Sequence, residues 1–157
     1  MSATVEISFT LNGAKRRLAV DAGLSALNLL RDQMDMTGTK YACGEGECGA
    51  CTILVDGLSI NSCLMYAAEL DGRDIVTIEG LRTEKGFDPM QDAFVEHGAI
   101  QCGFCMPGMI MQARHLADTN KDLTYDGLKR GLEGNVCRCN GYKKVFDAVA
   151  DVIGIAK

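Results

Sequence analysis

The chain has 157 residues, of which 47% are hydrophobic and 24% charged, and its 16 basic against 21 acidic side chains leave a formal net charge of -5. That balance argues against a nucleic-acid partner, and no apolar run approaches the roughly 20 residues that span a bilayer. The opening MSATVEISFTLNG has neither a basic nor an apolar leader region, which predicts a cytoplasmic protein without a membrane role.

Val5, Ile7, Phe9 and Leu11 alternate with polar residues, the period of a half-buried strand. Asn12-Gly13 then signals a hairpin, and Lys15–Val20 forms the returning strand. Leu24, Leu27, Leu30 and Met34 recur at helical spacing, with Gly38 as the stop. A glycine-rich loop from Lys40 to Ala50 leads into a strand over Thr52–Val55 that closes on an Asp56-Gly57 turn, and Ile75, Val76 and Ile78 make a last short strand. Hairpin, helix, then further strands on one sheet is the order of a β-grasp.

The second half reads as helical. Asp88-Pro89 supplies an N-cap and a first-turn proline for a helix over Pro89–His97, which Gly98 ends. Pro107 starts a second helix through Met109, Ile110, Ala113 and Leu116. Thr124 caps a third across Leu128 and Leu132, and Val145, Phe146, Val149, Val152 and Ile153 share one face of a fourth. Residues 1–80 carry 6 basic and 11 acidic side chains, whereas residues 81–157 carry 10 of each, so the first half holds the whole net charge. Eight cysteines also divide four and four about this boundary. The expectation is an α+β protein of two small domains, residues 1–80 and 86–157.

Eight thiols in a reducing compartment point to metal ligation rather than disulfides. Cys43-x4-Cys48-x2-Cys51-x11-Cys63 is the plant-type spacing for a [2Fe–2S] cluster. Two irons need thiolates converging from one side, so three come from a tight loop and the fourth from the next element. Gly44, Gly46, Gly49 and Ala50 let the backbone fold over such a cluster with N–H groups aimed at sulfur. Structural zinc favours paired knuckles, which this spacing fits poorly. Gly44-x-Gly46-x-x-Gly49 formally matches a dinucleotide fingerprint, but Cys48 lies within it and Cys43 and Cys51 flank it, leaving no backbone free for pyrophosphate. For Cys102-x2-Cys105 and Cys137-x-Cys139, spacing alone leaves zinc or a thioredoxin-like Cys102-Gly-Phe-Cys105 open.

QCGFCMPGM at Gln101–Met109 and GNVCRCNGY at Gly134–Tyr142, downstream of CGEGECGACT at Cys43–Thr52, resemble the small iron–sulfur subunit of molybdenum hydroxylases. That family includes xanthine dehydrogenases, aldehyde oxidoreductases, carbon monoxide dehydrogenases and enzymes hydroxylating N-heteroaromatics. The resemblance spans nearly the whole chain and all eight cysteines. It implies a plant-type β-grasp ferredoxin domain followed by a four-helix domain, with a second [2Fe–2S] cluster on Cys102, Cys105, Cys137 and Cys139. It further implies a large subunit holding molybdopterin, in a dinucleotide form, and a medium subunit holding FAD, joined as a heterotrimer or its dimer. Gln101 matches the position that hydrogen-bonds the pterin, with the backbone at Cys139 nearby. The Cys43/Cys48/Cys51/Cys63 cluster would lie farther out, towards the flavin.

On this reading the chain is an electron-transfer subunit with no catalytic residue of its own. Met106 and Asn140 depart from the threonines common in the family, and neither change removes a ligand. Arg138, between two ligands, is placed to offset cluster charge or meet a partner. His97 and His115 are expected to be structural or surface residues, Met109, Ile110 and Met111 to be packing, and Lys143-Lys144 to be a solvated face.

Overall fold

The computed structural model describes residues 3–84 and 86–157. Strands β1 (Thr4–Leu11) and β2 (Ala14–Asp21) form an antiparallel hairpin registered from Thr4 opposite Asp21 to Leu11 opposite Ala14. Its tight turn needs two left-handed residues, which Asn12 (φ 50°) and Gly13 (φ 79°) supply. A second hairpin joins β3 (Thr52–Val55) to β4 (Leu58–Asn61) through Asp56 and Gly57 in the same conformation. β5 (Asp74–Val76) pairs parallel with β1 and antiparallel with β3, giving the strand order β2-β1-β5-β3-β4. Ile7, Phe9, Leu11, Val20, Ile53, Val55 and Ile75 bury one face of this sheet against Leu29, Leu30, Ala67 and Leu70.

The helix on that sheet is less regular than its hydrophobic period suggests. Only Ala26–Asn28 (α1) is α-helical, capped by the Ser25 hydroxyl accepting from Asn28 N at 3.1 Å, and Leu29–Gln33 continues as a π-helix. Beyond it Asp35 turns left-handed (φ 56°), and the Arg31 guanidinium donates to Thr37 O and Thr39 O at 2.9 and 2.7 Å. Those bonds draw the chain back under the helix. Gly38 therefore does not end it; a β carbon at that position would lie 2.4 Å from the Ile78 side chain. Ile78 is not in a strand either. It opens a 3-10 helix, Ile78–Leu81, and both Ile78 and Leu81 pack against the helical core.

That second core is built by α2 (Pro89–Glu96), α3 (Met106–Thr119), α4 (Tyr125–Gly131) and α5 (Tyr142–Ile153). Asp88 caps α2 by accepting from Met90 N at 2.8 Å, while Gln91 Oε1 accepts from Asp88 N at 3.0 Å. α3 starts one residue before Pro107. The Thr124 hydroxyl caps α4 by accepting from Gly127 N at 3.1 Å. Met90, Phe94, Met109, Leu128, Leu132, Val145, Ala148 and Val149 fill the interior, and Met109, Ile110 and Met111 are packing residues, as expected. His97 caps α2 and lies 2.9 Å from Asp151 of α5. The two halves meet where α3 packs on β3 and β4. Gly108 permits this approach, since a β carbon there would lie 2.1 Å from Gly49 O. His115 of α3 donates from Nδ1 to Gly57 O at 3.0 Å across the same boundary. Among the described residues, no helix is long and apolar enough to cross a membrane.

Two candidate iron–sulfur sites

The loop before β3 is shaped by three left-handed glycines, Gly44 (φ 74°), Gly46 (φ 82°) and Gly49 (φ 65°). Successive turns of this kind expose backbone N–H groups on one concave side, an arrangement suited to an anionic group. The loop is held from outside by Asn61, whose amide donates to Gly46 O at 2.8 Å, and by the Thr52 hydroxyl, which donates to Gly49 O at 2.7 Å. The thiols fall into pairs. The Cys43 thiol interacts with that of Cys48, and the Cys51 thiol, at the end of the loop, with that of Cys63, beyond β4. The Glu45 N–H donates to Cys43 Sγ at 3.5 Å; with the Cys48 thiol it lowers the Cys43 pKa to about 6. Burial pushes Cys51 up to about 11.

The second set repeats the pattern in the connections before α3 and before α5. Cys102 pairs with Cys139, and Cys105, directly before α3, pairs with Cys137. The Phe104 N–H, and then Cys139, hold Cys102 below the usual thiol range, whereas Cys139 is raised by the Cys102 thiol. Burial pushes Cys105 up to about 12. Gly141 N donates to Cys137 Sγ at 3.3 Å, and the Tyr142 hydroxyl accepts from Cys137 N at 2.8 Å. Asn140 adopts φ 59° and turns the chain so that the Gly141 N–H points at sulfur. The Gln101 amide donates to Cys139 O at 3.2 Å, so these two sequence-predicted residues do meet. Arg138 is exposed.

All eight cysteines are free thiols, as the metal-ligation reading requires. A single tetrahedral ion would draw four donors to one point. Among the described residues, no three His, Cys, Asp or Glu side chains come together in that way. Two pairs per set is instead what a binuclear cluster asks for, since each iron takes two thiolates and shares bridging sulfides. The donor chemistry and the N–H groups at Cys43 and Cys137 fit that group. Metal ions would also remove the contrast between lowered and raised thiols, because a coordinated thiol is deprotonated outright.

Sequence reasoning missed the joint between the two sets. Val136 N donates to Cys48 O at 2.9 Å, and the buried Asn135 amide donates to Gly49 O at 2.9 Å. GNVCRC places Asn135 beside the ligands, but nothing local shows that it faces a carbonyl 86 residues away.

Residues 9–77 match the family model of the 2Fe-2S iron-sulfur cluster binding domain, and residues 77–150 match that of the [2Fe-2S] binding domain. The chain is 45% identical over 150 residues to the nicotine 6-hydroxylase small subunit of Paenarthrobacter nicotinovorans, covering 96% of this chain and 90% of that one. It is 42% identical over 152 residues to the xanthine dehydrogenase iron-sulfur-binding subunit of Escherichia coli O157:H7, covering 96% and 95%. Its structure superposes on quinoline 2-oxidoreductase from Pseudomonas putida 86 with a TM-score of 0.91 at 39% identity, over 97% of this chain and 94% of that one. In the aldehyde oxidoreductase of Megalodesulfovibrio gigas the match covers 93% of this chain but 16% of that protein.

A β-grasp ferredoxin domain followed by a four-helix domain, each matching a [2Fe–2S]-binding family, defines a two-domain iron–sulfur protein. Within that class the chain belongs to the small iron–sulfur subunits of the molybdenum hydroxylases and is a component of an oxidoreductase complex.

Proposed function

We propose that this chain conducts electrons singly from a molybdopterin site in a large subunit towards FAD in a medium subunit, in a heterotrimer or its dimer. Cys102, Cys105, Cys137 and Cys139 would hold the inner [2Fe–2S] cluster, and Cys43, Cys48, Cys51 and Cys63 the outer one. When bound, each cluster supplies one-electron oxidation and reduction, so a two-electron substrate oxidation can leave in single steps.

The observation that carries this reading is the arrangement of the thiols as two sets of two pairs joined by the Cys48 O to Val136 N hydrogen bond. The chain's own groups do three things. The Glu45 and Gly141 N–H groups donate to the sulfurs of Cys43 and Cys137. The helical core buries Cys105 and Cys137, while Cys139 is half-buried and Cys102 exposed. Gln101, half of whose amide is engaged by Cys139 O, is placed to offer its remaining polar atoms to the pterin. The relatives are named for nicotine, nicotinate, quinoline, xanthine and aldehydes, and on this reading the substrate is an aldehyde, an N-heteroaromatic or a similar small molecule.

The test is a metal and flavin count on the complex that co-purifies with the chain from its host. The expected result is about four irons per chain, with molybdenum and FAD in equal amounts on partner subunits. Iron without molybdenum or partner chains would overturn the hydroxylase reading and leave a two-cluster ferredoxin.

A further inference from the structure

One carbonyl oxygen lies at the junction of the two thiol sets. Gly49 O, between Cys48 and Cys51, accepts from the Thr52 hydroxyl at 2.7 Å, from the Asn135 amide at 2.9 Å and from Thr52 N at 3.2 Å. A carbonyl oxygen has two lone pairs, and Thr52 satisfies both from within the ferredoxin domain. The Asn135 amide is therefore not needed to solvate Gly49. It is nevertheless buried, at 4% exposure, and among the described residues its acceptors are Gly49 O and, at 3.4 Å, the Thr52 hydroxyl.

The backbone around Asn135 explains its placement. Asn135 N donates to Leu132 O at 3.0 Å, which ties the residue to the end of α4. The next residue, Val136, donates its N–H to Cys48 O, and the one after that is Cys137. Consecutive residues Asn135 and Val136 thus bind consecutive residues Gly49 and Cys48, a two-rung ladder between one ligand segment and the other. One rung is backbone and continuous with both Cys48 and Cys137. The other is a side chain, the Asn135 amide.

We propose that Asn135 is a positioning residue for electron transfer between the two thiol sets. Its amide cross-links the Cys48-Gly49 and Val136-Cys137 backbones and so holds their separation and hydrogen-bonded contact. Tunnelling falls steeply with separation and passes more readily through bonds and hydrogen bonds than through gaps, so a residue that fixes this contact sets the coupling. The assignment rests on the reading that both sets hold [2Fe–2S] clusters.

The test compares Asn135→Ala, Asn135→Ser and Thr52→Val in the intact complex. Iron content and visible spectra report cluster assembly, and pulsed electron paramagnetic resonance of the dithionite-reduced complex reports the magnetic interaction between the clusters. Asn135→Ala is expected to keep the parental iron content while the interaction weakens and intercluster transfer slows severalfold in stopped-flow reduction. Thr52→Val, which removes a donor to Gly49 O and the weaker 3.4 Å acceptor of the Asn135 amide but leaves the 2.9 Å bond from Asn135 to Gly49 O, is expected to keep the parental interaction. If Asn135→Ala loses iron, Asn135→Ser is measured in its place. A parental interaction in an iron-replete Asn135 variant would overturn the proposal, as would equal weakening in Thr52→Val or iron loss from both Asn135 variants. Absence of two cluster signals from the unmodified complex would instead sink the underlying reading.

Discussion

Asn140 is held at φ 59°, where the β carbon of an L-residue crowds the following carbonyl. Asparagine tolerates that region; a β-branched threonine does so poorly. The turn sets the Gly141 N–H against Cys137 Sγ. Asn140→Thr is expected to lower the stability of the iron-loaded chain by roughly 1–2 kcal/mol, with Asn140→Gly close to the parent. Denaturant unfolding of the two variants checks this, and equal stabilities would remove the strain argument. At this scale the cysteines were legible because thiolate chemistry imposes its spacing on the sequence itself. Asn135, Thr52 and Gly108 were not, because what gives each its role is Gly49 O, and for Asn135 and Gly108 that atom belongs to a distant segment.

The elements that sequence period and capping foretold are those whose stability is local. Asn12-Gly13, Asp56-Gly57, Asp88-Pro89 and Thr124 each carry their turn or cap chemistry in adjacent residues. Elsewhere the reading fails: the first helix passes into π geometry over Leu29–Gln33, and Ile78 leaves the sheet to pack against the helical core. α5 offers a prediction from its carboxylates. The Lys143 ammonium, and then the Tyr125 hydroxyl, lower Asp147; Lys157 and then His97 lower Asp151. A carboxylate lowered in the folded state stabilises it above the unfolded pKa, and that contribution disappears as pH falls through the folded value. The melting temperature is therefore expected to drop between about pH 5 and pH 2, and less steeply in Asp147→Asn. Parallel curves for the variant and the parent would show that this pairing adds nothing.

Across the whole molecule, two separate cores meet where α3 packs on β3 and β4, and the Asn135 to Gly49 O and Val136 to Cys48 O bonds link the two thiol sets. Apolar side chains remain exposed beside each set: Tyr41 and Leu64 at the first, Ile100, Phe104 and Val136 at the second. Phe104 is two residues from Cys102, and in the proposed complex it meets the large subunit. Phe104→Asp is expected to weaken assembly by about 2 kcal/mol or more, seen as loss of the small subunit on gel filtration, whereas unchanged co-elution would place that interface elsewhere.

The most direct test of the central claim is electron paramagnetic resonance of the dithionite-reduced complex in the parent, Cys51→Ser and Cys105→Ser forms. Two distinct [2Fe–2S] signals are expected in the parent, with a different one altered or lost in each variant. A single signal in the parent, or one signal altered by both substitutions while the other is untouched by either, would contradict two independent sites of paired thiols.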